Sequence, residues 1–269
     1  MPKNRQYQTV LRSRWERSRF HVPAPGGVAM SQISWKGTWR GRSPDGLVHE
    51  PARNVVRRTG GIIRGKFPSR KTGRMVKYEG LLEWRAIYLF EASPAVVRYT
   101  DQPETTQYPD GNRLRRYTPD FEVCLRDGSS MLIEVKPKKN ADKPDIRHML
   151  DVAADFYARR GRTLHVLTDE YICVEPRLAN LRWVYHRAPR IRPTDLKGAL
   201  ALRRMFDAFP MSIRDAATYL SPIGLDPYTL LMAGALVCDL TSPVSLDTRL
   251  HINLENYHEW FRISDRLGF

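Results

Sequence analysis

The sequence has few cysteines and no long apolar run. Its three cysteines, Cys124, Cys173 and Cys238, are odd in number and far apart, which excludes a disulfide framework and a CxxC metal site. We expect each to be a small buried residue in a reducing compartment. No segment approaches the roughly 18 consecutive apolar residues of a membrane span, and no apolar signal region follows Met1. These absences predict a soluble cytoplasmic protein without a membrane partner.

Acidic residues are scarce in the first part of the chain. Residues 1–75 contain 17 Lys or Arg and 3 acidic residues, whereas the remainder contains 27 and 26. The same segment is rich in Gly and Pro and is interleaved with Trp15, Phe20, Trp35 and Trp39. Basic side chains neutralise phosphates and aromatic side chains stack on bases. We predict that residues 1–60 form a basic arm that binds nucleic acid; a solvated tail without a partner is the alternative.

The length of 269 residues and the 42% apolar content predict two folded domains. Pro189-Arg-Ile-Arg-Pro193 is the expected boundary, which gives domains over residues 61–190 and 191–269. In the first domain, the spacing of apolar residues predicts helices over Tyr78–Glu91 and Pro144–Arg160. Strands are predicted at Ile62–Phe67, Met75–Tyr78, Val96–Tyr99, Thr105–Tyr108, Arg116–Leu125, Ser130–Lys136, Leu164–Thr168 and Trp183–Tyr185. This order indicates an α/β fold with a mixed sheet flanked by helices.

The second domain contains signals for three short helices followed by extended segments. Helices are predicted over Leu196–Phe209, from the capping sequence at Ser212, and from Asp226 to about Asp239. Pro243–Leu246 and Thr248–Asn253 follow as extended segments. This arrangement resembles a winged helix, which binds DNA in many proteins and other proteins in many more.

The candidate chemistry lies in a hairpin of the first domain. Asp120 follows Pro119, and Glu134 and Lys136 follow after the tight turn at Asp127-Gly128. Residues two apart in a strand share a face, so the hairpin brings both carboxylates and the ammonium together. Carboxylate oxygens bind Mg²⁺, and a lysine can position or deprotonate a water and offset charge on a phosphate. The pattern is that of the restriction-type nuclease fold; a solvated hairpin with a cross-strand ion pair is the alternative.

The helix before the sheet offers a further acid. Glu79, Glu83 and Glu91 lie in or beside it, and Glu79 and Glu83 are four residues apart on one helical face. We expect one of them to reach the hairpin site. The others are expected to pair with arginine or to cap the helix.

Several motifs resemble the N-terminal catalytic domain of TnsA, the endonuclease subunit of heteromeric transposases. They cover roughly residues 65–190. In chain order they are Ser69-Arg-Lys-Thr-Gly-Arg74, Leu82-Glu83, Leu89-Phe-Glu-Ala-Ser-Pro94, Asp101-Gln102-Pro103, Tyr117-Thr-Pro-Asp-Phe121, Ile133-Glu-Val-Lys136 and Thr168-Asp169. The resemblance implies that Glu83 is the catalytic helix acid, Asp120 the metal-binding aspartate and Lys136 the catalytic lysine. Glu134 stands where some members have Gln, so it is expected to ligate metal directly here.

The resemblance also implies an activity and partners. It implies cleavage of double-stranded DNA at the 5′ ends of a transposon, with two Mg²⁺ ions for which Mn²⁺ substitutes. An integrase-type transposase subunit would cut and join the 3′ ends, and an AAA+ regulator would complete the complex. The protein would be associated with the nucleoid when bound to DNA. The alternatives are a non-catalytic DNA-binding or scaffold subunit of a transposition complex, and a defence or repair nuclease with the same core.

Secondary candidates lie around the predicted site. Arg70, Lys71 and Arg74 in the turn before the helix are candidate DNA contacts. Lys138 and Lys139 after the catalytic strand are candidates for the same role, although a solvated loop is the alternative. Gln102 follows a strand edge and is predicted to support the site through its backbone or side chain.

Overall fold

The computed structural model describes residues 63–189, 205–253, 260, 262–264 and 269. The predicted basic arm and most of the predicted helix at Leu196–Phe209 lie outside these residues. The predicted boundary at Pro189–Pro193 also falls largely outside them. The predictions made for these segments therefore stay predictions.

Strands and helices alternate along the chain from Arg64 to Arg187. In chain order they are β1 (Arg64–Pro68), β2 (Met75–Glu79), α1 (Leu81–Ala92), β3 (Val96–Asp101), β4 (Thr106–Asp110), β5 (Arg113–Tyr117), β6 (Phe121–Leu125), β7 (Ser130–Lys136), α2 (Lys138–Ala141), α3 (Pro144–Ala158), β8 (Leu164–Thr168), α4 (Asp169–Ile172) and α5 (Arg177–Arg187). None of the described helices is long and apolar enough to cross a membrane. The α/β fold class is confirmed.

A four-stranded sheet with the order β3-β6-β7-β8 forms the centre of this part of the chain. The first three strands are antiparallel, and β7 and β8 are parallel. Alternate residues of β7 enter different clusters: Ile133 and Val135 pack with α1, whereas Leu132 packs with α3. Because side chains alternate across a strand, Glu134 and Lys136 lie on the same face as Leu132.

Two antiparallel hairpins flank the sheet: β1 with β2, and β4 with β5. The predicted strand at Arg116–Leu125 is wrong in its extent, because β5 ends at Tyr117 and β6 begins at Phe121. Thr118-Pro119-Asp120 separates them, and Pro119 has no N–H to donate to a ladder. The predicted β6–β7 hairpin with its turn at Asp127-Gly128 is present.

The predicted strand at Trp183–Tyr185 is also wrong, because these residues lie in α5. Leu178, Leu181, Val184, Tyr185 and Ala188 are buried at spacings of three and four residues. This is the period of a helix face, which a window of three apolar residues is too short to reveal.

Two further helices and a small sheet follow in the C-terminal part: β9 (Met211–Ser212), α6 (Ile213–Leu220), α7 (Pro227–Met232), β10 (Leu236–Val237) and β11 (Arg249–Ile252). The sheet order is β10-β11-β9. The Oγ of Ser212 accepts a hydrogen bond from the Asp215 N–H at 3.0 Å, which confirms the predicted cap. Helix α7 ends seven residues before the predicted Asp239, just ahead of Gly234 with φ 73°. The winged-helix assignment stays a prediction.

Candidate active site

The predicted hairpin residues meet at the C-terminal end of β7. The Nζ of Lys136 lies 2.7 Å from Oε1 of Glu134. The backbone N–H of Val135 donates to Oδ2 of Asp120 at 2.8 Å, which fixes this carboxylate beside the strand. The turn and the alternation of the strands thus bring Asp120, Glu134 and Lys136 into one cluster.

The helix acid that joins this cluster is Glu83, in the first turn of α1. Its Oε2 accepts a hydrogen bond from the Glu79 N–H at 2.7 Å. Burial, followed by the charges of Glu79 and Glu134, raises the pKa of Glu83 to about 8. The Glu79 side chain instead pairs with Arg64 at 2.9 Å. The expectation that one acid reaches the hairpin while another pairs with arginine agrees with this geometry.

The electrostatics of the cluster indicate an excess of negative charge. Burial and the nearby carboxylates of Glu134 and Glu83 raise the pKa of Asp120 well above its usual range. Burial alone would lower the pKa of Lys136, but Glu134 and Asp120 outweigh it and the net shift is upward. One ammonium therefore does not compensate for three carboxylates, and a cation would be stabilised here.

The donor chemistry fits a hard cation in part. Among the described residues, Oδ1 of Asp120 and Oε1 of Glu83 accept no hydrogen bond, and Mg²⁺ commonly uses one or two carboxylates plus water and phosphate. Both oxygens of Glu134 are occupied, one by Lys136 and the other by the Tyr117 hydroxyl at 2.8 Å. Within the described part of the chain, no three acidic, His or Cys side chains are already grouped as around an ion. Glu134 would have to exchange a partner to become a ligand.

Tyr117 is a site residue to which the sequence analysis assigned no role. Its hydroxyl donates to a carboxylate that is 4% exposed, so the bond fixes Glu134 on the side away from Lys136. The tyrosine stands in the quoted Tyr117-Thr-Pro-Asp-Phe121 motif, but nothing in the sequence shows which side chain its hydroxyl meets.

Gln102, predicted to support the site, lies next to Asp120. Its backbone N–H donates to the Asp120 carbonyl at 2.8 Å. Its φ of 44° lies in the left-handed region, which residues other than glycine rarely adopt. Its buried Oε1 has no hydrogen-bond partner among the described residues. Gln102 thus contacts the site through its backbone.

The three predicted DNA contacts before α1 are engaged inside the domain. Arg74 is buried and pairs with Asp101 at 2.5 Å. Arg70 packs over the Tyr185 ring at 4.3 Å and donates to the carbonyl of Pro189, and Lys71 donates to the carbonyl of Val96 at 2.6 Å. A buried guanidinium cannot reach a phosphate, so the geometry gives Arg74 a structural role instead.

Lys138 and Lys139 are exposed directly after β7. The Lys138 side chain pairs with Asp142 at 3.0 Å, and its backbone N–H donates to Asp169 at 2.6 Å. Both ammonium groups are therefore on an open surface beside the site. Their contact with DNA stays a prediction.

Carboxylates and a lysine that lie together at the end of a strand are residue types that can bind a metal and act on a phosphodiester. Residues 93–169 match the family model described as TnsA-like endonuclease N terminal. The match supports the resemblance that the motifs indicate, and this segment is similar to the N-terminal domain of TnsA-like endonucleases. It includes Asp120, Glu134 and Lys136 but begins after Glu83, whose assignment rests on the motifs and the geometry. No curated protein matches the chain.

Proposed function

We propose that this protein is the Mg²⁺-dependent DNA endonuclease subunit of a heteromeric transposase and cleaves the 5′ ends of the transposon during cut-and-paste transposition. The convergence of Asp120, Glu134 and Lys136 with Glu83 in a TnsA-like domain carries this proposal. The excess of negative charge supports a metal requirement. We further propose Glu83 and Asp120 as metal ligands. Glu134 would become a third ligand by giving up its ion pair with Lys136.

Bound Mg²⁺ would polarise the phosphate and lower the pKa of a coordinated water. Asp120 is held by the Val135 N–H, so it presents its second oxygen without reorganising. Lys136 is an ammonium in the present arrangement because its pKa is raised. It can therefore stabilise the charge that develops on the phosphate. Its ammonium would become available for this role when Glu134 gives up the ion pair with Lys136 and binds the metal.

The partners follow from the same proposal. An integrase-type transposase would cut the 3′ ends and an AAA+ regulator would control the complex. The described C-terminal elements, two helices and a three-stranded sheet, are proposed to bind DNA or these partners.

Strand-resolved cleavage of a transposon-end duplex tests the proposal. The reaction is run with Mg²⁺, with and without the partner transposase, for the wild type and for Lys136→Ala. Lys66→Ala is the control, since it removes an exposed lysine of β1 to which no role at the site is assigned. We expect a 5′-strand nick that needs the partner and falls at least about a hundredfold in Lys136→Ala only.

Two outcomes would count against this function. A nick that is independent of Lys136 would remove the lysine from the mechanism. The lack of a nick under every combination would favour a non-catalytic scaffold, and cleavage of unrelated DNA without the transposase would favour a defence or repair nuclease.

A further inference from the structure

The β4–β5 ribbon has two faces of opposite character. The register pairs Asp110 with Arg113, Tyr108 with Arg115, and Thr106 with Tyr117 on one face, called here the inner face. The remaining pairs, Pro109 with Leu114 and Gln107 with Arg116, lie on the outer face. Since paired residues of an antiparallel ribbon share a face, this division follows from the register alone.

The inner face is fixed to helix α3. Tyr108 is buried, and its ring lies 5.9 Å from that of Phe156. The Asp110 carboxylate bonds to His148 at 3.0 Å and pairs with Arg115. The ribbon is therefore held in place by packing and polar contacts, so its outer face is a preorganised surface.

The outer face has no cover in the described structure. All four of its side chains are exposed: Gln107, Pro109, Leu114 and Arg116. Leu114 is 73% exposed, the highest value among the exposed large apolar residues described. The Arg116 guanidinium makes no hydrogen bond or ion pair with any described residue, in contrast with Arg115. A free cation, an amide and an apolar side chain thus share one open surface.

This surface lies beside the candidate active site. Tyr117, the residue after Arg116, donates to Glu134. Arg116 precedes Asp120 by four residues, which span at most about 14 Å. Five-residue strands are roughly 17 Å long, and the major groove of B-DNA admits a two-stranded ribbon.

We propose that the outer face of the β4–β5 ribbon lies in a groove of the duplex next to the cleaved phosphodiester. Arg116 contacts a phosphate or base edge, Gln107 lies beside it, and Leu114 makes the apolar contact. This inference rests on the proposed function, because it concerns the substrate of the same site. The ligand that fits this face is a double-stranded polyanion with accessible base edges.

Adjacent arginines provide a matched test. Arg116→Ala and Arg115→Ala each remove one positive charge from the same strand, on the outer and inner face respectively. Binding of the full chain to a duplex of about 30 base pairs, roughly three turns, is measured without divalent metal over a range of salt. We expect Arg116→Ala to weaken affinity about tenfold and reduce the slope of log affinity against log salt by about 0.9.

The controls separate this inference from the proposed function. Arg115→Ala should change the affinity less than Arg116→Ala, and Leu114→Ala should weaken binding without changing the salt slope. Circular dichroism checks that each variant is folded. Equal effects of the two arginine variants, or none for Arg116→Ala, overturn the ribbon proposal even if the wild type still cleaves. A wild type that neither binds nor cleaves any duplex overturns both.

Discussion

The two ends of helix α1 hold acidic side chains in opposite surroundings. Near the C-terminal end, Glu91 is 1% exposed and its carboxylate is saturated with donors. Ser69 Oγ donates at 2.5 Å, the Arg70 N–H at 3.0 Å and the Tyr99 hydroxyl at 2.7 Å. In the first turn, Glu83 accepts a single backbone hydrogen bond.

The difference shows what distinguishes a structural carboxylate from one available to a ligand. Glu91 has its donors within the protein and ties the turn before β2 to the helix. Glu83 lies among other acids, and its pKa is raised to about 8 first by burial. A buried carboxylate with few hydrogen-bond donors around it is stabilised when it binds a cation. A carboxylate that already accepts several hydrogen bonds is stabilised little by a cation.

Replacing Asp120, which lies in the same cluster as Glu83, should cause the largest loss of cleavage. Asp120→Asn keeps an oxygen that can accept the Val135 N–H, so the fold should remain while a metal ligand is lost. We expect strand cleavage to fall at least about a thousandfold, with duplex affinity in the absence of metal unchanged or higher. Gel assays of both quantities check this. Equal loss of binding and cleavage would contradict the role as a metal ligand.

Neutralising the helix acids one at a time should separate activity from stability. Because the pKa of Glu83 is raised to about 8, the metal-free protein holds this side chain protonated at neutral pH. Glu83→Gln, a neutral side chain of the same shape, should therefore leave the metal-free protein as stable or make it more stable, while cleavage is lost. Glu91→Gln places an amide N–H₂ among donors and should lower the free energy of unfolding by about 2–4 kcal/mol. Cleavage per folded molecule should be retained in Glu91→Gln. Urea denaturation and single-turnover cleavage measure the two effects.

The dependence of stability on pH and on Mg²⁺ tests the role of Glu83. Because the folded-state pKa of Glu83 is raised, folded protein holds a proton that the unfolded chain releases between about pH 4.5 and 8. The stability of the metal-free wild type should therefore fall as pH rises through this window, and Glu83→Gln should reduce that fall. Mg²⁺ should raise the melting temperature of the wild type but not of Glu83→Gln. A similar metal effect in both would remove Glu83 from the ligand set.

Local signals explain why much of the site could be predicted. Asp127-Gly128 defines the β6–β7 turn, and the alternation of β7 places Glu134 beside Lys136, as the 2.7 Å contact shows. Both signals act within a few residues. The spacing of Glu79, Glu83 and Glu91 predicted that one of them reaches the site but not which one. The surroundings of each acid come from segments that are distant in the sequence.

What could not be predicted depends on long-range packing. Arg74 is a basic residue of the type that contacts DNA at a protein surface. In the structure it instead forms an ion pair in the interior with Asp101, 27 residues later. Pro119 and Asp120 interrupt the strand-forming residues between Arg116 and Leu125. Only the tertiary structure shows that the first part of this run leaves the central sheet for a separate ribbon. The bond between Tyr117 and Glu134 depends on that same division.

Two tyrosines provide the smallest test of the comparison. Tyr99 donates to Glu91 at 2.7 Å and Tyr117 donates to Glu134 at 2.8 Å, so each Phe variant removes one hydroxyl from one buried acid. Both should lower the free energy of unfolding by about 1–2 kcal/mol. Only Tyr117→Phe should also lower cleavage, by about tenfold, and change the Mg²⁺ concentration needed for half-maximal stabilisation, because it frees the carboxylate that is proposed to exchange Lys136. If Tyr99→Phe lowered cleavage per folded molecule as much, the Glu91 end would be part of the site and the distinction between the two ends would fail.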